Sequence, residues 1–169
     1  MRNGLFSPEM LLAAAMAISG QIAFATQPAK PINAKKFDAL ATAALEAMKQ
    51  KAAELKIGGV ATVNYAPGDT VQAWSSKMAV VGRMKDVPTD TSKGNNLLGI
   101  AYSKAAEMAD TLQNSGTAKR PPMTGEFGWQ GGVIEHVKSG FAIVSFSGGK
   151  SEDDVQVSKA GLEVLKKGL

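Results

Sequence analysis

The sequence predicts one α+β domain, an antiparallel sheet of about four to five strands flanked by three helices, in the order helix, two strands, helix, two strands, helix. Three observations predict it. Three segments repeat apolar residues every three or four positions, the period of a helix with one buried face. Between them lie short runs rich in valine, isoleucine and phenylalanine. These runs come in pairs joined by glycine- and proline-containing turns, which is the pattern of hairpins and therefore of antiparallel pairing.

The elements follow in chain order. Arg2 precedes an apolar run from Met10 to Ile18, which Ser19-Gly20 breaks before Ala23-Phe24-Ala25. A basic start, an apolar core and small residues at the cleavage positions are the layout of a secretory signal. The run is shorter than the roughly 20 residues that cross a bilayer. Residues 1–25 are therefore expected to be removed on export to the periplasm or the extracellular medium, and residues 26–32, with Pro28 and Pro31, to form an extended leader. The domain is expected over 33–169.

Asn33 is placed to cap a helix over 34–55, with Phe37, Leu40, Ala41, Ala44, Leu45, Met48 and Ala52 on one face and Gly58-Gly59 as its stop. Val60 to Tyr65 reads as a strand, Ala66-Pro67-Gly68-Asp69 as a turn, and Thr70 to Val81 as a second strand or strand pair. Residues 82–96 read as a polar loop. A second helix is predicted over 96–113, with Leu98, Ala101, Ala105, Met108 and Leu112 as its stripe and Gly116 at its C-terminal cap. Residues 117–130 form a long irregular stretch, and long loops in small domains often carry function. Gly131-Gly132 opens a strand over 133–137. Lys138-Ser139-Gly140 turns the chain, and 141–146 returns. After Ser147-Gly148-Gly149, Ser151 is the expected cap of a last helix. Glu152, Asp153 and Asp154 stand in its first turn, where the helix dipole favours acids, and Val155, Ser158, Leu162 and Leu165 share a face.

Composition excludes several chemistries. The chain has no cysteine, hence no disulfide, no thiol nucleophile and no Cys-ligated zinc or iron–sulfur cluster. It has one histidine, so no His-Glu-x-x-His zinc site exists. The net charge of +4 is scattered, with acids among the bases, and no basic stripe or phosphate-binding loop points to nucleic acid or nucleotide. No second long apolar run follows residue 25, so no transmembrane segment is expected in the mature chain.

Several segments together are similar to a known family. They are Ile100-Ala101-Tyr102-Ser103-Lys104-Ala105, Gly131-Gly132-Val133, Ser147-Gly148-Gly149 with Glu152-Asp153-Asp154, and Ala160-Gly161-Leu162. The chain resembles the GlcG/HbpS-like haem-binding family over most of residues 33–167. The resemblance implies an α-β-α fold on an antiparallel sheet of about five strands. It also implies binding of haem, a related tetrapyrrole or another small ligand, and assembly as a homo-oligomer. It does not imply catalysis, and Ile134 stands where the family usually has proline.

Against that background the candidate ligand-binding residues are His136, Tyr102, Lys104, Met123, Phe127, Trp129, Gly131 and Gly132. His136 is the candidate metal ligand, since imidazole binds haem iron, with Tyr102 and Tyr65 as phenolate alternatives and Met84 or Met123 as thioethers. Phe127, Trp129 and Met123 on a glycine-rich loop suit a flat apolar ligand. Lys104 and Arg120 are placed either to meet ligand carboxylates or, for Lys104, to pair with an acid such as Asp154. Glu126 and Glu135 are the only carboxylate pair considered for acid–base work. The expected function is an exported small-ligand-binding protein, the alternative an enzyme or accessory protein acting on a small metabolite such as a small organic acid.

Overall fold

The computed structural model describes residues 32–169; the expected signal peptide and nearly all of the leader lie outside them. The chain runs α1 (Ala34–Glu54), β1 (Gly59–Pro67), β2 (Ser75–Val81), β3 (Lys85–Asp86), β4 (Asn95–Asn96), α2 (Leu97–Thr111), β5 (Gly132–Val137), β6 (Gly140–Ser147) and α3 (Ser151–Leu165), closing on a short 3-10 turn. The four long strands form one antiparallel sheet in the order β2-β1-β6-β5, and β3 with β4 makes a small separate ribbon. The expected fold class is thus the observed one.

Helices end where backbone groups find partners, and three ends differ from expectation. Asn33 caps α1 as predicted, its side chain accepting from Lys35 N at 2.7 Å. The helix stops before Gly58-Gly59, at Lys56, which takes the left-handed conformation (φ 56°). Lys56 N then donates to Ala53 O and Ile57 N to Ala52 O, each at 3.0 Å, which satisfies the free carbonyls. α3 starts one residue early: Lys150, not Ser151, is the N-cap and gives no side-chain bond. The carboxylate of Asp154 reaches back to Gly149 N at 2.8 Å instead.

The second strand is shorter than expected. Residues 68–74 form a loop, and β2 begins only at Ser75. The polar stretch 82–96 contributes the β3–β4 ribbon, which packs beside the start of α2. Asn96 caps α2, accepting from Gly99 N at 3.0 Å, and Leu112 in the left-handed conformation (φ 52°) ends it four residues before Gly116.

α1 and α3 cover one sheet face, where Phe37, Leu45, Met48, Val63, Val144, Phe146 and Leu165 form the main core. α2 covers the other, above Val60, Ile143 and Phe141. The strand alternation dictates this division: in β1 and β6 successive residues point to opposite helices, and both strands are buried on both faces. No helix among the described residues is long and apolar enough to cross a membrane.

Candidate functional site

α2 is the helix that positions the site. Its buried face is Leu97, Ile100, Ala101, Ser103, Lys104, Ala105, Glu107 and Met108, rotated from the expected stripe, with Leu112 exposed. Lys104 falls four residues after Ile100 and four before Met108, in the middle of that apolar face. Its side chain is 3% exposed and donates to Phe146 O and to Asp154 Oδ2, each at 2.8 Å. Burial pushes the Lys104 ammonium down from its usual range and the Asp154 carboxyl up; their mutual attraction opposes both shifts. Of the two partners considered for Lys104 from the sequence, Asp154 is the one it meets.

Gly131 and Gly132 serve the same helix. A side chain at Gly131 would collide with Lys104 Nζ, and its φ of 135° is one that side-chain-bearing residues rarely adopt. A side chain at Gly132 would collide with the end of Met108. Gly131 O accepts from Ser158 Oγ at 2.6 Å and from Phe146 N at 3.1 Å, which fixes the strand opening to α3 and β6.

The loop over 117–130 is fastened to α2 at two points and braced within itself by Glu126. Ser103 Oγ donates to Gly125 O at 2.7 Å. Arg120 forks onto both oxygens of Glu126 at 2.7 and 2.8 Å and reaches Asp110 of α2 at 2.7 Å. Glu126 also accepts from Met123 N at 2.8 Å. Arg120, and next the Met123 amide, hold the Glu126 carboxyl down to about 2. Glu107, buried and unanticipated, accepts from Gly116 N at 2.8 Å and sets the start of the loop. So braced, the loop holds Phe127 and Trp129 with ring centroids 4.9 Å apart and about half of each side chain exposed; Met123 of the same loop is equally exposed and lines neither adjoining cavity.

Two cavities adjoin this aromatic pair. One, of about 330 Å³, lies between the β3–β4 ribbon and the start of α2, with Asn96, Gly99, Ser103, Gly125 and Phe127 in its wall. The other, of about 110 Å³, is mostly polar and ends on Lys104, Asp154, Ser151 and Gly149, with Trp129 at its side. Asn95 and Ile100 belong to both. A third and larger hollow, of about 630 Å³, lies between residues 70–74 and the outer side of α2. Its one ionisable wall residue, Asp110, is already engaged by Arg120.

The remaining candidates lie elsewhere. His136 is exposed on the edge strand β5, packed edge-to-face against Phe141 at 4.9 Å. Five residues of extended chain, about 17 Å, separate it from Gly131 at the other end of the strand. Tyr102 shares hydrogen bonding with Ser76 Oγ at 2.9 Å, toward β2. The Tyr65 hydroxyl donates to Ser139 O at 2.8 Å, and Met84 is exposed outside both cavities. Glu135 pairs with Lys166 rather than with Glu126. Lys104, Phe127, Trp129 and Gly131 are thus brought together, and His136 is not among them. No group of three or more metal-ligating side chains occurs among the described residues. No family model matches this chain, and no curated protein does.

Proposed function

We propose that this protein is an exported binding module for a small flat ligand of the haem or related tetrapyrrole class. The observation that supports this most is the Phe127–Trp129 pair, held half exposed over a 330 Å³ cleft by a loop fastened to α2 at two points. Exposed aromatic rings on a fixed scaffold offer a flat ligand apolar contact at little cost in side-chain ordering. A macrocycle is larger than the cleft, so it would lie against the rings with its second face open to a partner subunit, in keeping with a homo-oligomer. The residues around the cleft fit such a ring by contact. They do not place an imidazole beside it, since His136 stands at the other end of β5. Helices on both faces of an antiparallel sheet, here of four strands, support the family reading, and the reading of residues 1–25 as a signal predicts a mature chain that begins at Thr26.

Haemin titration of the purified protein tests the proposal. A saturable Soret shift is expected, with Trp129→Ala weakening binding by roughly tenfold or more and His136→Ala leaving it nearly unchanged. No spectral change with a folded protein at micromolar haemin rejects it. A second reading, an enzyme or accessory protein acting on a small organic acid or similar metabolite, draws on a different observation: the 110 Å³ polar cavity that ends on a buried amine and carboxyl.

A further inference from the structure

We propose that Lys104 is an amine nucleophile that forms an imine with a small aldehyde or 2-oxo acid in the 110 Å³ cavity, with Asp154 as the acid that dehydrates the adduct. This deepens the second reading above and does not depend on the flat ligand.

Packing alone does not call for a lysine at 104. The position lies within the apolar face of α2, where a methionine or leucine would fill the space without bringing a charge out of water. The ammonium group has three donors, and protein acceptors take two of them, Phe146 O and Asp154 Oδ2. The glycine at 131 makes room for Nζ itself, which packs where a side chain at that position would stand. A purely structural ion pair is closest to solvent-free when apolar groups seal it. Here a mostly polar cavity opens onto it instead, with Asn95, Gln130, Ser147 and Ser151 in the wall. A volume of 110 Å³ is that of about four water molecules. That suits a two- or three-carbon oxo compound.

The pair also has the right protonation tendency. Burial moves the amine and the carboxyl each toward its uncharged form while their mutual attraction opposes it, and the 2.8 Å contact gives a proton a direct path between them. In the neutral arrangement Nζ carries a lone pair and Asp154 carries the proton. Nζ attacks the carbonyl carbon, a C–N bond forms, and the carbonyl π electrons pass to oxygen, which takes the proton of Asp154. The nitrogen returns a proton to the carboxylate. Asp154 then protonates the hydroxyl, water leaves, and the nitrogen lone pair closes the C=N bond. The sum is amine, carboxylic acid and carbonyl giving protonated imine, carboxylate and water, and no oxidant or reductant enters.

The test is reductive trapping on the full chain. The protein is incubated with pyruvate, and separately with acetaldehyde, in the presence of cyanoborohydride, then analysed by intact mass and peptide mapping. A single reduced adduct on Lys104 is expected, absent from Lys104→Arg and formed roughly a hundredfold more slowly in Asp154→Asn. Circular dichroism checks that the variants fold. If they do not, the wild-type map decides: adducts spread over exposed lysines such as Lys35, Lys36 and Lys159, with none on Lys104, overturn the proposal. Saturation-transfer NMR with pyruvate separates the two levels of the argument. Binding without an adduct removes the imine and leaves a small-metabolite site; no binding and no adduct remove both.

Discussion

On one face of the sheet α1 and α3 bury an almost wholly apolar layer, with Met48, Val63, Val144, Phe146 and Leu165 fully enclosed. On the other, α2 buries Ser103, Lys104 and Glu107 over a sheet surface that carries Thr62, Asn64 and Ser145. The first face is held mainly by volume and shape, with few buried polar groups such as Ser158, which bonds Gly131 O. The second needs every polar group to find a partner, and each does: no buried side-chain nitrogen or oxygen among the described residues lacks a hydrogen bond. The aromatic pair and the larger of its two flanking cavities lie on the α2 side, and the smaller one lies between α2 and the first turn of α3. The comparison teaches that the fold is held by one face and that the chemistry gathers on the other, where polar groups are tied down rather than excluded.

The largest expected effect tests the polar face. Lys104→Met leaves the Asp154 carboxylate buried without its cation, and urea unfolding should show a loss of about 3–5 kcal/mol. Replacing both, as Lys104→Met with Asp154→Leu, should recover most of that loss, because the desolvation penalty then goes with the charge. Met48→Ala on the apolar face should cost about 2–5 kcal/mol by opening a cavity that no second substitution on the same pair of helices can repair by charge balance. If Lys104→Met cost less than about 1 kcal/mol, the two faces would be equivalent in kind and the contrast would collapse.

Most of this architecture was legible in the sequence, and the shortfalls are local. Period and turn chemistry gave all three helices and the four long strands within a few residues, because Phe37-to-Ala52 and Val60-to-Tyr65 obey their periods closely. The missed cap at Lys56 is a left-handed residue with a side chain, a conformation that composition does not announce. Residues 70–74 contain Val71 and Trp74 and so resemble strand, yet they leave the sheet. At the site, the aromatic loop and Lys104 were visible as residue types. The joining of Lys104 to Asp154 across 50 positions was one of two options, decided only by the packing of α2 against α3 and β6. A signal did exist: a lysine at the centre of an apolar helical stripe must meet a partner. Glu107 had no such signal, since its acceptor role depends on a turn nine residues away.

The loop over 117–130 gives a pH-dependent contrast with the buried pair. Glu126 in the folded protein ionises at about 2, below its ordinary 4.5, because Arg120 and the Met123 amide hold its charged form. A depressed carboxyl contributes stability that is complete above the ordinary value and is lost as pH falls through the folded one. The clasp should therefore be intact above about pH 4.5 and open progressively toward pH 2. Trp129 fluorescence should report it, and Glu126→Gln should show the open-loop signal already at neutral pH. A transition that persists unchanged in Glu126→Gln would assign the titration to another group.

The smallest effect is expected at Tyr102, and it follows from the direction of one hydrogen-bond chain. Ser145 Oγ donates to Ala101 O at 2.7 Å, so it must accept from Thr62 Oγ1, also at 2.7 Å, because a hydroxyl has a single proton. Thr62 Oγ1 then accepts from the Asn64 amide at 3.3 Å, and Asn64 Oδ1 accepts from Ser76 Oγ at 2.7 Å. Ser76 has spent its proton, so the Tyr102 hydroxyl is the donor in the last link of 2.9 Å. Tyr102 thus heads the chain at the half-buried rim, and Tyr102→Phe removes a donor without orphaning any donor below it. Its cost should be about 0.5–1 kcal/mol in urea unfolding. Ser145→Ala, at the buried end, strands the Thr62 hydroxyl proton and should cost about 1–3 kcal/mol. Equal losses for the two variants would mean that the chain does not run in this direction, and that burial depth does not govern the polar face of the sheet.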